Sequence, residues 1–446
     1  MKPELTLQSV MHILFPVSVV DIGPYCIFTR MNRRNFVKAG GLITSLAVVN
    51  PALSFSRPMA RTLDPAFQKL HDKITPITIQ EYESRMEQAR KLMAENKLDM
   101  VFMEGGTSLK YFTGISWGRS ERLFGMILPG KGNPFFIAPK FEEGRAREQV
   151  KEARLYTWEE DENPWELIGK CLKEQGLQNG VMGIEETCRY FVTEHMQQSI
   201  PSLQITSALS VTAGCRSIKS EHEIGLMQIA NDFTRMVYTD AVHDLKEGMT
   251  EAQFGKIISD RFAQAGVEGG ALVLFGEASA YPHGLKKEHK LKAGDIVLID
   301  GGCSVEGYES DVTRTTVFGK ASDKMNNVWS IVRKAQDAGL KAARPGVEAQ
   351  VVDAAARKVI ADNGYGPGYA FFTHRLGHGI GLDGHEWYYL VGGNTRSLKS
   401  GNMFSNEPGI YLSGEFGIRI EDEMLITEAG ARLLLPPPLS LEVMFS

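Results

Sequence analysis

At 446 residues the chain is long enough for a large core and two domains. With 43% hydrophobic and 23% charged residues it is not a disordered chain. A formal net charge of -5, from 49 basic and 54 acidic residues with no dense basic block, argues against a nucleic-acid partner. Five cysteines form no CxxC pair, and their odd number argues against a disulfide framework.

Residues 32–38 read NRRNFVK and are followed by AGGLITSLAVVNPALSF. This order of basic patch, apolar stretch and small residues resembles a bacterial twin-arginine export signal, with Arg33 and Arg34 as the pair. The apolar stretch is too short and too weak for a membrane span, so no stable membrane insertion is expected. The resemblance implies the twin-arginine export machinery as a partner of the precursor. It also implies loss of the segment through roughly residues 52–57 and a periplasmic or secreted mature protein. If the signal is unused, the protein stays cytoplasmic. Met31 is a plausible start, which divides the region into an upstream extension (1–30) and a signal peptide (31–57).

From residue 75 the pattern becomes regular. Met86, Ala89 and Met93 have helical spacing, and LDMVFM then reads as a strand. YFTG, GMILPG and PFFIAP continue an alternation of helix and strand signals, which predicts a small α/β domain over 75–215. Within it WGRSER is a loop rich in recognition-capable groups, with Trp117 and Arg122 as candidates. In the second region, 219–446, Ser220 and Glu223 form a capping box, and Ile224, Met227, Phe233 and Val237 mark one side of a long helix. Another helix starts at Thr250 and Gln253. Two more fit 323–343 and 347–362, separated by Pro345 and Gly346. The order of two helices, strands, two helices, strands predicts an internally duplicated α+β layout.

The chemistry lies in the strand-like segments. In DIVLIDGGCSVEGYESDVTRTTVFG, a tight loop around Val305 and Glu306 would set Asp300 opposite Asp311. In NEPGIYLSGEFGIRIEDE, a turn centred on Gly414 would set Glu407 opposite Glu421. Acids paired in this way repel, and they need a shared proton or a cation. Between the two hairpins lies HRLGHGIGLDGHE, with three of the chain's ten histidines. Four carboxylates and one imidazole suit two divalent cations. Oxygen-rich ligands favour manganese, iron, cobalt or zinc over a thiolate zinc site.

Taken together, SAYPHG, LIDGG…SDVTRT, HRLGHGIGLDGHE, NEPGIY and GIRIED resemble the pita-bread metallopeptidases, a family that includes methionine aminopeptidase, aminopeptidase P and prolidase. The likeness spans roughly residues 75–446. The extra N-terminal domain is similar to that of aminopeptidase P and prolidase rather than methionine aminopeptidase. By this resemblance Asp300 holds one metal, Asp311 and Glu421 bridge both, and His378 and Glu407 hold the other. Manganese is the first choice of metal. His283, His374 and His385 line the substrate site, and Arg419 supports the ligand carboxylates. The implied reaction is hydrolysis of the bond between an N-terminal residue and proline in a short peptide. A metal-activated water attacks, His385 meets the developing oxyanion, His283 lies nearer the scissile nitrogen or the oxyanion, and Glu407 carries the proton.

The segment HEWYYL departs from the family pattern. Archaeal-type prolidases carry a carboxylate-binding arginine where Tyr389 stands, so longer Xaa-Pro peptides are expected to serve at least as well as dipeptides. Arg396 and Arg122 are the candidate substitutes. The alternatives are a prolidase-type dipeptidase, an amidohydrolase or lyase of the same fold, and a binding protein that has kept only the fold. A homodimer or larger assembly is expected, with the loop around Trp117 reaching a neighbour's site. Five further histidines (His71, His195, His222, His243 and His289) read as surface, helix or loop residues, and Cys303 as a packed thiol.

Overall fold

The structure is a computed structural model that describes residues 63–151 and 153–445. The upstream extension and the export signal, with Arg33 and Arg34, lie outside the described residues. A short helix α1 (Pro65–His71) precedes α2 (Ile79–Glu95), which starts at a Thr78–Glu81 capping box. A six-stranded mixed sheet follows, ordered β4-β3-β2-β1-β5-β6. Its strands are β1 (Met100–Glu104), β2 (Gly125–Pro129), β3 (Phe135–Pro139), β4 (Arg154–Trp158), β5 (Val181–Ile184) and β6 (Gln204–Ser207). Alternation along β1 divides its side chains between two cores. Val101 and Met103 pack with Ala89 and Met93 of α2 on one side. Met100 and Phe102 pack with Ile168 and Leu172 of α3 (Pro164–Glu174) on the other. With both faces covered, β1 to β3 are buried throughout.

The second half repeats one arrangement. Helices α4 (Glu221–Ala241) and α5 (Glu251–Gln264) pack Phe233, Phe254 and Phe262 against Val297 and Ile299. The sheet beneath them has β8 (Ile296–Val305) between β7 (Glu268–Phe275) and β10 (Val312–Val317), with the short β9 (Tyr308–Glu309) also on β8. Helices α6 (Asp323–Ala342) and α7 (Ala349–Asp362) then pack Val332, Val352 and Ile360 against Ile418 and Met424. Here five strands run β12-β11-β13-β16-β17, and β14 (Gly409–Leu412) pairs separately with β15 (Phe416–Arg419). The five are β11 (Gly377–Gly379), β12 (Glu386–Leu390), β13 (Met403–Asn406), β16 (Asp422–Thr427) and β17 (Gly430–Leu433). Each helix pair buries its apolar face on the strands that carry the acids. The sequence pattern did not flag α1. It belongs to this half, because Leu70 enters the first core and the His71 ring meets Phe233 edge-on at 5.1 Å. Among the described residues no helix is long and apolar enough to cross a membrane.

One expected register is corrected. Asp300 pairs with Thr313, and Asp311 lies one pleat away diagonally on the same face. The hairpin turns at Glu306 and Gly307, both with positive φ (52° and 86°), rather than at Val305 and Glu306. Type I′ turns need positive φ at both central positions, and glycine supplies it without strain. Moving the turn centre by one residue moves the pairing by two, which leaves the face unchanged. The later hairpin turns about Gly414 as expected. Asn406 pairs with Asp422 and Gly409 with Arg419, so Glu407 and Glu421 face each other across the gap between the two ladders.

A buried ion cluster ties the end of the first domain to β12. Arg216 Nη2 and Lys219 Nζ reach the two oxygens of Glu386 at 2.6 and 2.8 Å. Burial alone would raise the Glu386 pKa, but the two cations hold it down at about 2. Glu386→Gln would leave Lys219, only 2% exposed, without a carboxylate. It is expected to lower the unfolding free energy by roughly 3–5 kcal/mol in urea denaturation. A loss under about 1 kcal/mol would show that the cluster is not a structural tie.

Candidate metal centre

Strands β8 and β11, the start of β10 and both ends of the β14–β15 hairpin come to one place. Asp300 comes from β8, Asp311 from the residue before β10, and His378 from β11. Glu407 and Glu421 flank the β14–β15 hairpin on either side. The glycines of HRLGHGIGLDGHE make part of this possible. A Cβ on Gly377 would lie 2.0 Å from the Ser405 carbonyl oxygen, so only glycine lets β11 approach β13 so closely.

The ligand-type atoms fall into overlapping sets, each within 4.8 Å. Asp300, Asp311 and Glu421 form one set, and His378, Glu407 and Glu421 another. A third joins Asp311 and His378 to His385. His378 Nε2 lies 3.4 Å from Glu407 Oε1 and 3.7 Å from Asp311 Oδ2. His378 Nδ1 donates to the Gly379 carbonyl at 3.0 Å, which fixes the tautomer and leaves the Nε2 lone pair facing the acids.

The electrostatics fit a cation. Burial pushes Asp311 and Glu421 well above the usual carboxylate range, and the neighbouring acids push them further. Burial likewise lifts Glu407 to about 8. Burial would raise Asp300 as well, but Arg419 and hydrogen bonds from Thr313, Arg419 and Glu421 keep it below its ordinary value. The two guanidiniums at the pocket, Arg419 and Arg375, cannot offset four carboxylates. The Tyr238 hydroxyl adds a buried polar atom without a partner, and Asp300, Asp311 and Glu421 are the charges that bear on it. These residues fit a divalent cation.

All nine residues assigned to the centre by sequence meet at one pocket of about 250 Å³. The His385 ring stacks on His378 at 3.7 Å, and His283 stands exposed at the rim. His374 has no free nitrogen. Its Nδ1 donates to the Arg375 carbonyl at 2.8 Å, and its Nε2 accepts from the Tyr411 hydroxyl at 2.7 Å. Burial and the Arg419 charge drive its pKa down to about 3, so it stays neutral and walls the pocket.

The substrate-recognition candidates fare differently. Tyr389 pairs with His378 across the sheet, close to the centre. Trp117 stacks on Phe124 at 4.0 Å inside the first domain, and Arg122 is held by Glu160 and Glu121. Arg396 lies over the Tyr388 ring at 3.3 Å. None of these three lines the pocket. Sequence reasoning missed several supports. The Thr313 hydroxyl lies 2.7 Å from Asp300 and 2.6 Å from Glu421, and Ser405 donates to Glu407 at 3.1 Å. The Asp311 backbone N–H donates to Glu423, at 2.9 Å. Threonine and serine carry no motif signal of their own, although the alternation that selects Asp311 also selects Thr313.

Manganese added to chelator-stripped protein should raise its Tm, with a gain of about 2.7 kcal/mol at 100-fold excess over Kd. Asp311→Asn should abolish that gain and leave the stripped protein at least as stable as the wild type, because a repelling charge is gone. An undiminished metal response in Asp311→Asn would remove Asp311 from the ligand set.

Comparison with known proteins agrees with this geometry. The sequence profile of metallopeptidase family M24 matches residues 225–428, and that of the creatinase/prolidase N-terminal domain matches 85–218. An Xaa-Pro dipeptidase of Lactobacillus delbrueckii subsp. lactis is 31% identical, covering 77% of this chain and 95% of its own. Dipeptidase PepE of Mycobacterium ulcerans superposes with a TM-score of 0.77 at 32% identity, covering 83% of this chain and 100% of its own. A prolidase of Thermococcus sibiricus gives a TM-score of 0.72 at 31% identity, covering 79% and 96%. The chain therefore belongs to metallopeptidase family M24, with a creatinase/prolidase-type N-terminal domain ahead of a pita-bread catalytic domain.

Proposed function

We propose that the protein hydrolyses Xaa-Pro dipeptides at a centre of two divalent cations. The observation that carries this reading is the pair of ligand sets that share Glu421, one completed by Asp300 and Asp311 and the other by His378 and Glu407. Bound there, the cations supply a Lewis acid for the scissile carbonyl and a water acidified toward neutral pH. Asp311 belongs to the first set and has an oxygen 3.7 Å from His378 Nε2, so it would serve as a ligand on either side. The Glu407 carboxylate takes the proton of the attacking water and passes it to the leaving nitrogen. His385, stacked beside His378, donates a hydrogen bond to the carbonyl oxygen as charge develops, and His283 closes the rim. The nitrogen that leaves from proline is tertiary in the substrate, so ring shape, met by the walls at His374 and His385, replaces N–H recognition.

The expectation of longer peptides rested on the arginine missing at Tyr389. One observation favours the dipeptide alternative. The relatives named above include an Xaa-Pro dipeptidase and a prolidase. In a panel of Ala-Pro, Ala-Pro-Ala, Met-Ala-Ser and N-acetyl-Ala-Pro with manganese present, Ala-Pro should be the best substrate and the acetylated peptide inert. Chelation should abolish turnover. A tenfold preference for Ala-Pro-Ala would return the protein to the aminopeptidase class, and full activity without metal would end the peptidase reading.

A further inference from the structure

Arg375 was not singled out by sequence, yet it lines the metal pocket. Its guanidinium makes no hydrogen bond or ion pair with any described residue. It lies over the ring of Tyr389, 3.9 Å from the centroid. The backbone that presents it is fixed on both sides by α7. Arg357 holds the Phe372 and His374 carbonyls, and Asp353 accepts the Leu376 N–H at 3.0 Å. Arg419, by contrast, is fully engaged by Asp300, Tyr411 and Thr313. The pocket thus holds a braced cation with all its N–H donors unspent, beside the acid cluster.

We propose that Arg375, braced by Tyr389, binds the free C-terminal carboxylate of the substrate and thereby sets the preference for dipeptides. A guanidinium fork matches a carboxylate through two parallel hydrogen bonds. Tyr389 faces His378 across the sheet, so its ring places the fork on the His378 side of the centre. The tyrosine that appeared to remove a carboxylate anchor is then the platform for a different one. Neither Arg396 nor Arg122 competes for this role, since both are held outside the pocket. The inference rests on the dipeptidase reading for the identity of the ligand, but not for the presence of the anion site.

Two measurements test it. Calorimetric titration of L-proline and L-prolinamide into the metal-loaded protein reads the contact without turnover. The wild type should bind the acid roughly 10- to 100-fold more tightly than the amide, the range expected of hydrogen bonds to a charged group. Arg375→Met should bring that ratio close to one, Arg375→Lys should restore part of it, and Tyr389→Leu should weaken it. The ratio of kcat/KM for Ala-Pro over its C-terminal amide should fall in parallel, chiefly through KM. A metal-induced Tm rise retained in Arg375→Met would show that the centre is intact. Equal binding of acid and amide by the wild type, or an unchanged ratio in Arg375→Met, overturns the assignment. Failure of the wild type to cleave either peptide would sink the peptidase reading, and the proline titration would still decide for or against Arg375.

Discussion

Four carboxylates confined to one small pocket repel one another, and the surrounding structure is built to hold them there. Asp300, Asp311, Glu407 and Glu421 come from hairpins in two separate sheets, each clamped from behind by a helix pair with its own apolar core. The covering helices stop the strands from springing apart to relieve the repulsion. Arg419, buried against Asp300 and Tyr411, compensates part of the charge. Burial and then like charge push Asp311 and Glu421 well above the usual carboxylate range, so the remaining charge calls for a cation. Strain of this kind is tolerable where function requires it and would be lost where it did not.

The three imidazoles of HRLGHGIGLDGHE differ by what each second nitrogen does. His378 gives Nδ1–H to a backbone carbonyl and keeps Nε2 for the acids. His374 spends both nitrogens, on the Arg375 carbonyl and the Tyr411 hydroxyl. A relay therefore runs from the Arg419 guanidinium through the Tyr411 hydroxyl to His374 and on to the backbone of Arg375. It couples the support of Asp300 to the placement of the Arg375 side chain. His385, half exposed and stacked on His378, is the imidazole best placed to meet a substrate. The glycines between them supply close backbone approach.

Much of this was legible because alternation is a strong signal. Period-two spacing put Asp300, Asp311, Thr313 and Thr315 on common faces, and capping boxes at Ser220 and Thr250 fixed the helix starts. The later hairpin was placed correctly because Gly414 is an unambiguous turn centre. The earlier one was misplaced by one residue, since Glu306 gives no hint that it takes a positive φ beside Gly307. Arg375 stayed hidden for another reason. An arginine next to a histidine in a glycine-rich loop has no periodicity, and its meaning depends on Tyr389, which is adjacent only through strand pairing. Arg122 and Arg396 looked equally available in sequence, and each is occupied by a partner that only the folded chain supplies.

The claim on which the rest stands is that one acid cluster holds two cations at once. Anomalous scattering from a manganese-soaked crystal, recorded at the metal edge, tests it directly. Two peaks per chain should lie either side of Glu421, one nearest Asp300 and the other nearest His378, with Asp311 touching both. A single peak, or two that leave Glu421 or Asp311 unliganded, would contradict the shared site and the chemistry built on it.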